Sequence, residues 1–217
     1  MNAQTAAPAL GLRERKKQQT RQHISDTATR MFLERGFDGV TIAEIAAAAD
    51  VAKMTVTNYF PRKEDLVLDL GELMIGRMTR AVEAREPGES ALAALRRDYL
   101  ADVAAQRQII GFSGLEFARL IAGSPALVAR VREFYDESER LLAARLAAET
   151  EADAADFTPR IAAVMLGGVQ RALFEETQRR TLEGESNDAI AAVLTGYVAD
   201  AFDMLEPSLG GYAVRAG

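Results

Sequence analysis

Apolar residues recur along this chain at spacings of three and four, the period of a helix buried on one face, and no stretch alternates convincingly as a strand. Ile24, Ala28, Met31 and Phe32 mark one face of a first helix over about residues 13–34. Gly36 supplies its stop, being free to take positive φ just past a helix end. Thr41 and Glu44 form a T-x-x-E capping box ahead of Ile42, Ile45, Ala46 and Ala49, so a short second helix runs to about Asp50. Val51 anchors a turn. A third helix spans roughly Lys53 to Tyr59 with Val56 and Phe60 inward, and Pro61 halts it, having no amide donor. A fourth begins near Lys63 and passes through Leu66, Leu70, Leu73 and Met74 to about Ala84, before Pro87-Gly88 break the pattern.

The same period continues beyond the break. Leu92, Leu95, Tyr99 and Val103 place a helix over about 90–106, and residues 109–121 read as a more apolar helix kinked around Gly111 and Gly114. Ser124-Pro125, a cap followed by proline at the first helical position, opens a long helix to about Thr150. Thr158-Pro159 repeats that signature for a helix to about Thr181. After Gly184 and Ser186-Asn187, a last helix ends before Pro207. The expectation is an all-α protein of about nine helices. It comprises a disordered tail over 1–12, a three-helix domain over 13–62, a larger helical domain over 63–207 and a flexible tail over 208–217.

Composition agrees with helices: apolar residues make up 48% and aromatics only 6%, so the core draws on Ala and Leu, both strong helix formers. No run approaches 18 apolar residues, and no basic start leads into an apolar stretch, so neither a membrane span nor a secretory signal is expected and a cytoplasmic location is the default. The absence of cysteine excludes disulfides, thiolate metal sites and cysteine nucleophiles. His23 is the one histidine and sits among polar residues, so no metal and no cofactor is expected. Carboxylates are scattered, and HExxH, serine-elbow and glycine-rich phosphate motifs are missing, which argues against an enzyme.

Charge is divided unevenly. Residues 1–63 hold ten Lys/Arg against six Asp/Glu, a net +4, and the remainder holds sixteen against twenty-six, a net −10, which together give −6. A basic head on an acidic body suits a protein that meets a polyanion from one end. The segment from Thr41 to Leu66 gives that head a use. Two short helices joined by a tight turn suit duplex DNA, because the second enters the major groove while the first braces it.

This segment resembles the DNA-binding domain of the tetracycline-repressor (TetR) family of bacterial transcription regulators. The resemblance rests on Thr41, Ile45-Ala46, Val51, Thr55, Tyr59-Phe60 and Lys63-Glu64-Asp65-Leu66, with Phe32, Gly36 and Phe37 upstream, and covers about residues 20–70. Asp50 stands where the turn usually has Gly, Ala52 where Ser commonly caps the recognition helix, Met54 where Gly is common, Thr57 where many members have Tyr, and Tyr59 where His is frequent. On this reading Lys53, Met54, Thr55, Thr57 and Asn58 face the bases: Asn suits adenine, Lys suits guanine acceptors, and Thr or Met suits a thymine methyl. Thr41, Tyr59 and Lys63 suit phosphates, and Arg13, Arg15, Lys16 and Lys17 add backbone contacts.

The resemblance also implies a small-molecule pocket and a dimer surface in the larger domain. Candidate pocket liners are Met74, Met78, Tyr99, Phe112 and Phe117, with Leu120, Phe134, Met165 and Phe174 and the polar Gln170. The last two long helices are expected to form the dimer bundle. There Ala163 and Gly167 allow close approach, and Leu166, Val169, Ile190, Val193, Leu194, Val198 and Phe202 add apolar area. The expected function is a ligand-responsive regulator, most readily a repressor, whose homodimer binds a palindromic double-stranded DNA operator and is released by a small apolar or amphipathic effector. An activator of the same family is the alternative within that class. An all-helical enzyme or a protein-binding adaptor is the rival outside it.

Overall fold

A computed structural model of the chain describes residues 11–216, so the expected tail over 1–12 lies outside the described residues apart from Gly11 and Leu12, which open the first helix. Among the described residues there are nine α-helices, two 3-10 turns and no strand. They divide into two compact units, the first ending at Asp69 and the second running from Leu70.

The first unit contains α1 (Leu12–Arg35), α2 (Ile42–Ala48), α3 (Lys53–Tyr59) and a 3-10 turn (Glu64–Leu66). Ile24, Ala28 and Phe32 lie four apart on α1 and are fully buried with Ile45, Val56, Phe60 and Leu66, so each element contributes its inward positions to one core. Gly36 ends α1 at φ 77°, and its amide donates to the Phe32 carbonyl at 2.8 Å. The fourth helix does not start at Lys63. The Asp65, Leu66 and Val67 amides donate three residues back, to the Arg62, Lys63 and Glu64 carbonyls at 3.1–3.2 Å, so the stretch winds as a 3-10 turn. Side chains of α1 also hold this stretch in place. Ser25 donates to the Asp69 carboxylate at 2.7 Å, and Arg21 donates to the Asp69 carbonyl at 3.2 Å. The first unit therefore extends beyond residue 62 to Asp69.

The second unit contains α4 (Gly71–Glu83), α5 (Ala91–Ala104), a 3-10 turn (Gln108–Ile110), α6 (Leu115–Ala122), α7 (Pro125–Glu149), α8 (Thr158–Leu182) and α9 (Asn187–Leu209). Helix α7 packs on α4 and α8, and α9 packs on α5 and α8. The kinked helix expected over 109–121 is broken outright. Gly111 takes φ 108°, and a Cβ there would lie 2.9 Å from the Thr177 side chain, so close approach to α8 requires glycine. At the start of α8 the cap comes from Asp156, whose carboxylate accepts from the Thr158 amide at 2.8 Å, not from Thr158 itself. Helix α9 runs through Pro207 to Leu209. The amide that proline lacks falls in the last turn on an exposed residue, where solvent meets the carbonyl left over.

The C-terminal segment is not loose either. Arg215 and Gly88–Glu89 exchange two backbone bonds, Gly88 N to Arg215 O and Arg215 N to Glu89 O, both 3.0 Å. Leu209 is buried, and the buried Arg85 guanidinium donates to the Ala213 carbonyl and to Glu149.

The capping box at α2 carries a titration. Glu44 accepts from the Thr41 hydroxyl and amide, both at 2.8 Å, and pairs with Arg35 at 2.7 Å. Arg35 first, and then Thr41, hold its carboxyl down at about 2, against an ordinary 4.5. A carboxyl lowered in the folded state contributes stability that is complete above pH 4.5 and is lost as pH falls towards 2. Wild type should therefore exceed Glu44→Gln in urea midpoint at pH 7, with the gap closing as pH approaches 2. A constant gap would refute this assignment.

Candidate DNA interface and effector pocket

Helix α3 has two faces. Val56 and Phe60 are buried, which fixes its roll, while Lys53, Met54 and Asn58 are exposed, Met54 to 69%. Thr55 and Thr57 lie half-buried at the flanks, and the Thr57 hydroxyl donates to the Met54 carbonyl of its own helix at 3.1 Å. Asp50 takes φ 52° in the turn before it, a conformation that Asp adopts more readily than most side chains. Ala52 gives α3 no side-chain cap.

The residues expected at phosphates fall into two groups. Arg13, Lys16 and Lys17 on α1 and Tyr59 on α3 line one hollow of about 640 Å³ with Glu14 and Thr20. Arg15 is exposed on α1 but does not line it. Thr41 and Lys63 already have intramolecular partners. The Thr41 hydroxyl completes the α2 capping box. The Lys63 ammonium donates to the Phe37 carbonyl at 2.6 Å and lies 4.3 Å from the centre of the Phe37 ring.

In the second unit, Met74, Met78, Tyr99, Gln170 and Phe174 come together around one cavity of about 20 Å³, the space of a single water. Phe112, Phe117, Leu120, Phe134 and Met165 lie outside its lining. Phe112 belongs to the core, Met165 packs against that core, and Phe134 lies under the start of α4, where a Cβ on Gly71 would come within 2.5 Å of its ring.

Arg77, which the sequence reading passed over, crosses beside this cavity. It is 5% exposed, and its Nε donates to Asp102 at 2.6 Å, its Nη2 pairs with Asp98 at 2.8 Å, and its Nη1 donates to Gln170 Oε1. The guanidinium also stacks 4.7 Å from the centre of the Tyr99 ring. Burial raises the Asp98 carboxyl, with Arg77 opposing. Burial also pushes the Tyr99 phenol well above its usual range, and that of Tyr135 likewise. Tyr135, Ile109, Ile110 and Ser138 complete the lining.

The expected dimer residues need correction. Ala163, Leu166, Ile190, Leu194, Val198 and Phe202 are fully buried in the core of their own unit. Gly167 is buried as well, and a Cβ there would meet the Glu139 side chain of α7 at 2.4 Å. Val169 and Val193 are half-buried. The helical period marked the strongest apolar stripes on α8 and α9, and those stripes build the monomer. A second, weaker stripe is exposed: Ile161, Val164, Gly168 and Ala172 on α8, with Tyr197 and Met204 on α9. Part of it forms an open groove of about 430 Å³.

Comparison with known proteins decides the class. Residues 24–70 match the model of the bacterial regulatory proteins of the tetR family, and residues 89–210 match that of the MftR C-terminal domain. The chain belongs to the tetR family.

Among tetR-family relatives, the HTH-type transcriptional regulator TcmR of Streptomyces glaucescens is 29% identical over 205 residues, covering 92% of this chain and 88% of that protein. The HTH-type transcriptional regulator AcrR of Shigella flexneri is 29% identical over 197 residues, covering 83% and 90%. Two solved structures share the fold. GusR of Salmonella enterica has a TM-score of 0.51 at 21% identity over 88% of this chain and 95% of that one. NalD, the secondary repressor of the MexAB-OprM multidrug efflux pump in Pseudomonas aeruginosa, has a TM-score of 0.51 at 21% identity over 85% and 97%. This tetR-family chain is accordingly a transcriptional regulator of the helix-turn-helix type and not an enzyme. Among the described residues no helix is long and apolar enough to cross a membrane, and no cluster of three His, Cys, Asp or Glu could hold a metal.

The buried charge cluster makes the second unit sensitive to one side chain. Arg77→Met strands Asp98 without its cation and leaves Asp102 with only the exposed Arg107, and should cost about 3–5 kcal/mol as a broken buried pair does. Calorimetric unfolding of wild type and variant reads this directly, and a loss under 1 kcal/mol (a rough threshold set by surface pairs) would mean that the cluster is solvated.

Proposed function

We propose that this protein is a ligand-responsive repressor whose homodimer binds a palindromic operator through α3. The observation that carries the reading is the division of α3: Val56 and Phe60 lock it to the core, and Lys53, Met54 and Asn58 face outward with Thr55 and Thr57 at their flanks. Asn58 and Lys53 read base edges, Met54 and the threonine methyls pack on thymine, and the Arg13, Lys16, Lys17 and Tyr59 hollow holds the phosphate backbone. Arg15 adds to the positive field of α1. Thr41 and Lys63 stand at the starts of α2 and of the 3-10 turn, where their polar side chains can add phosphate contacts.

The dimer forms through the exposed stripe of α8 and α9. Contiguous apolar surface of this kind marks an association site, and a two-fold pair fits a palindrome with half-sites about 34–36 Å apart. A small apolar or amphipathic effector enters the cavity at Tyr99 and Gln170 and favours a state of lower DNA affinity. A coupling of about 1–3 kcal/mol suffices for a switch of this type.

Two experiments test the reading. For a selected operator, Asn58→Ala should relax preference at one base pair by about 1–3 kcal/mol. Lys17→Ala should weaken binding to all sequences and lower the salt slope by about one. Unchanged site preference in Asn58→Ala would remove α3 from base reading. Separately, the pair Val164→Glu and Met204→Glu should sediment as a monomer with its helix content retained, and a normal dimer would place the interface elsewhere.

A further inference from the structure

The cavity carries an excess of hydrogen-bond donors. The phenol oxygens of Tyr99 and Tyr135 and the Nε2 of Gln170 are buried without a partner, on side chains that all line it. The amide of Gln170 has a fixed orientation: its oxygen accepts from Arg77, which can only donate, so its NH₂ group is the end left over. That group cannot accept. The phenols stay protonated, since burial opposes their ionisation, and so remain able to donate as well.

The charge at the cavity is already answered. Arg77 faces Asp98 at 2.8 Å and Asp102 at 2.6 Å, and Asp102 also pairs with Arg107 at 3.0 Å. Arg171, 5.2 Å from the centre of the Tyr135 ring, pairs with Glu139 at 3.0 Å, so each cation beside the cavity already has a carboxylate. Apart from Ser138, the remaining walls are apolar and adaptable. Tyr135 and Phe174 meet edge to face at 5.9 Å, and Met74 and Met78 are unbranched side chains that move aside more easily than a β-branched wall.

We propose that the effector is an uncharged molecule with an aromatic body and a carbonyl-type acceptor oxygen, which Tyr99, Tyr135 and Gln170 bind as donors. This rests on the reading of the cavity as the effector site. The molecule enters by displacing Met74 and Met78, and its oxygen takes the place among the donors that no protein acceptor fills.

Three probes of one shape separate the possibilities by titration calorimetry on the full chain: 2-acetylnaphthalene, 2-ethylnaphthalene and 2-naphthoate. The ketone should bind at least tenfold tighter than either of the others. In the double variant Tyr99→Phe/Tyr135→Phe, the ketone should fall to within threefold of 2-ethylnaphthalene, whose own affinity stays as in wild type. A merely structural role for the two phenols would instead shift both probes together. The ranking in wild type needs no variant, so an unfolded variant leaves the test intact. Tightest binding of 2-naphthoate would assign the site to anions, and equal binding of ketone and hydrocarbon would remove the donors from recognition. Either result overturns the effector class while leaving the cavity as the site. Heat from none of the three overturns the cavity reading and the proposal together.

Discussion

A guanidinium taken out of water must be answered by opposite charge, and in the second unit that requirement falls on Arg85, paired with Glu149, and on Arg77 beside the cavity. Desolvating such an ion costs several kcal/mol even after relaxation. Helix α4 carries Arg77, α5 brings Asp98 and Asp102, and α8 brings Gln170, so three helices are held in register by one side chain. Apolar packing alone would leave them freer to slide, because it is not directional. The cluster is paired by charge, Arg77 with Asp98 and Asp102, while Gln170 Nε2 keeps no partner, and its neighbours Tyr99 and Tyr135 take their buried positions beside it.

The first unit meets a different constraint. Helix α3 is seven residues long, too short to persist alone, so its shape depends on tertiary anchors. Val56 and Phe60 supply them from within the helix. Thr41 and Glu44 close α2, and Asp50 makes the turn at positive φ. With its inner face spent on the core and no cap at Ala52, the helix offers its polar side outward as a rigid edge. The family match over residues 24–70 falls on this arrangement.

Local chemistry was legible in the sequence wherever a single residue type decides the backbone. The Thr41–Glu44 box, the Gly36 stop, the limits of α3 and the Ser124 cap all follow from side chains acting within a few residues. Long-range partners were less visible. The break at residues 67–70 depends on Ser25 and Arg21 reaching across from α1, and the close approach at Gly111 depends on Thr177. Periodicity shows that α8 and α9 have apolar faces without showing which neighbour covers each, so the stripe assigned to a partner subunit proved to be core. Arg77 escaped notice because a lone arginine on an amphipathic helix reads as a solvated face. Only the carboxylates at 98 and 102, four apart on another helix, give it a reason to be buried.

If the cavity takes the effector as proposed, its volume of about 20 Å³ has a kinetic consequence. A molecule larger than water finds no room until Met74 and Met78 move aside, so capture waits on a minor, open population. Apparent affinity is then the intrinsic affinity scaled by the fraction of protein that is open. At high effector concentration the observed rate levels off at the opening rate instead of rising without limit. On the proposed reading such a pocket would act as a timer: brief exposure to an effector would pass unregistered, and sustained exposure would not.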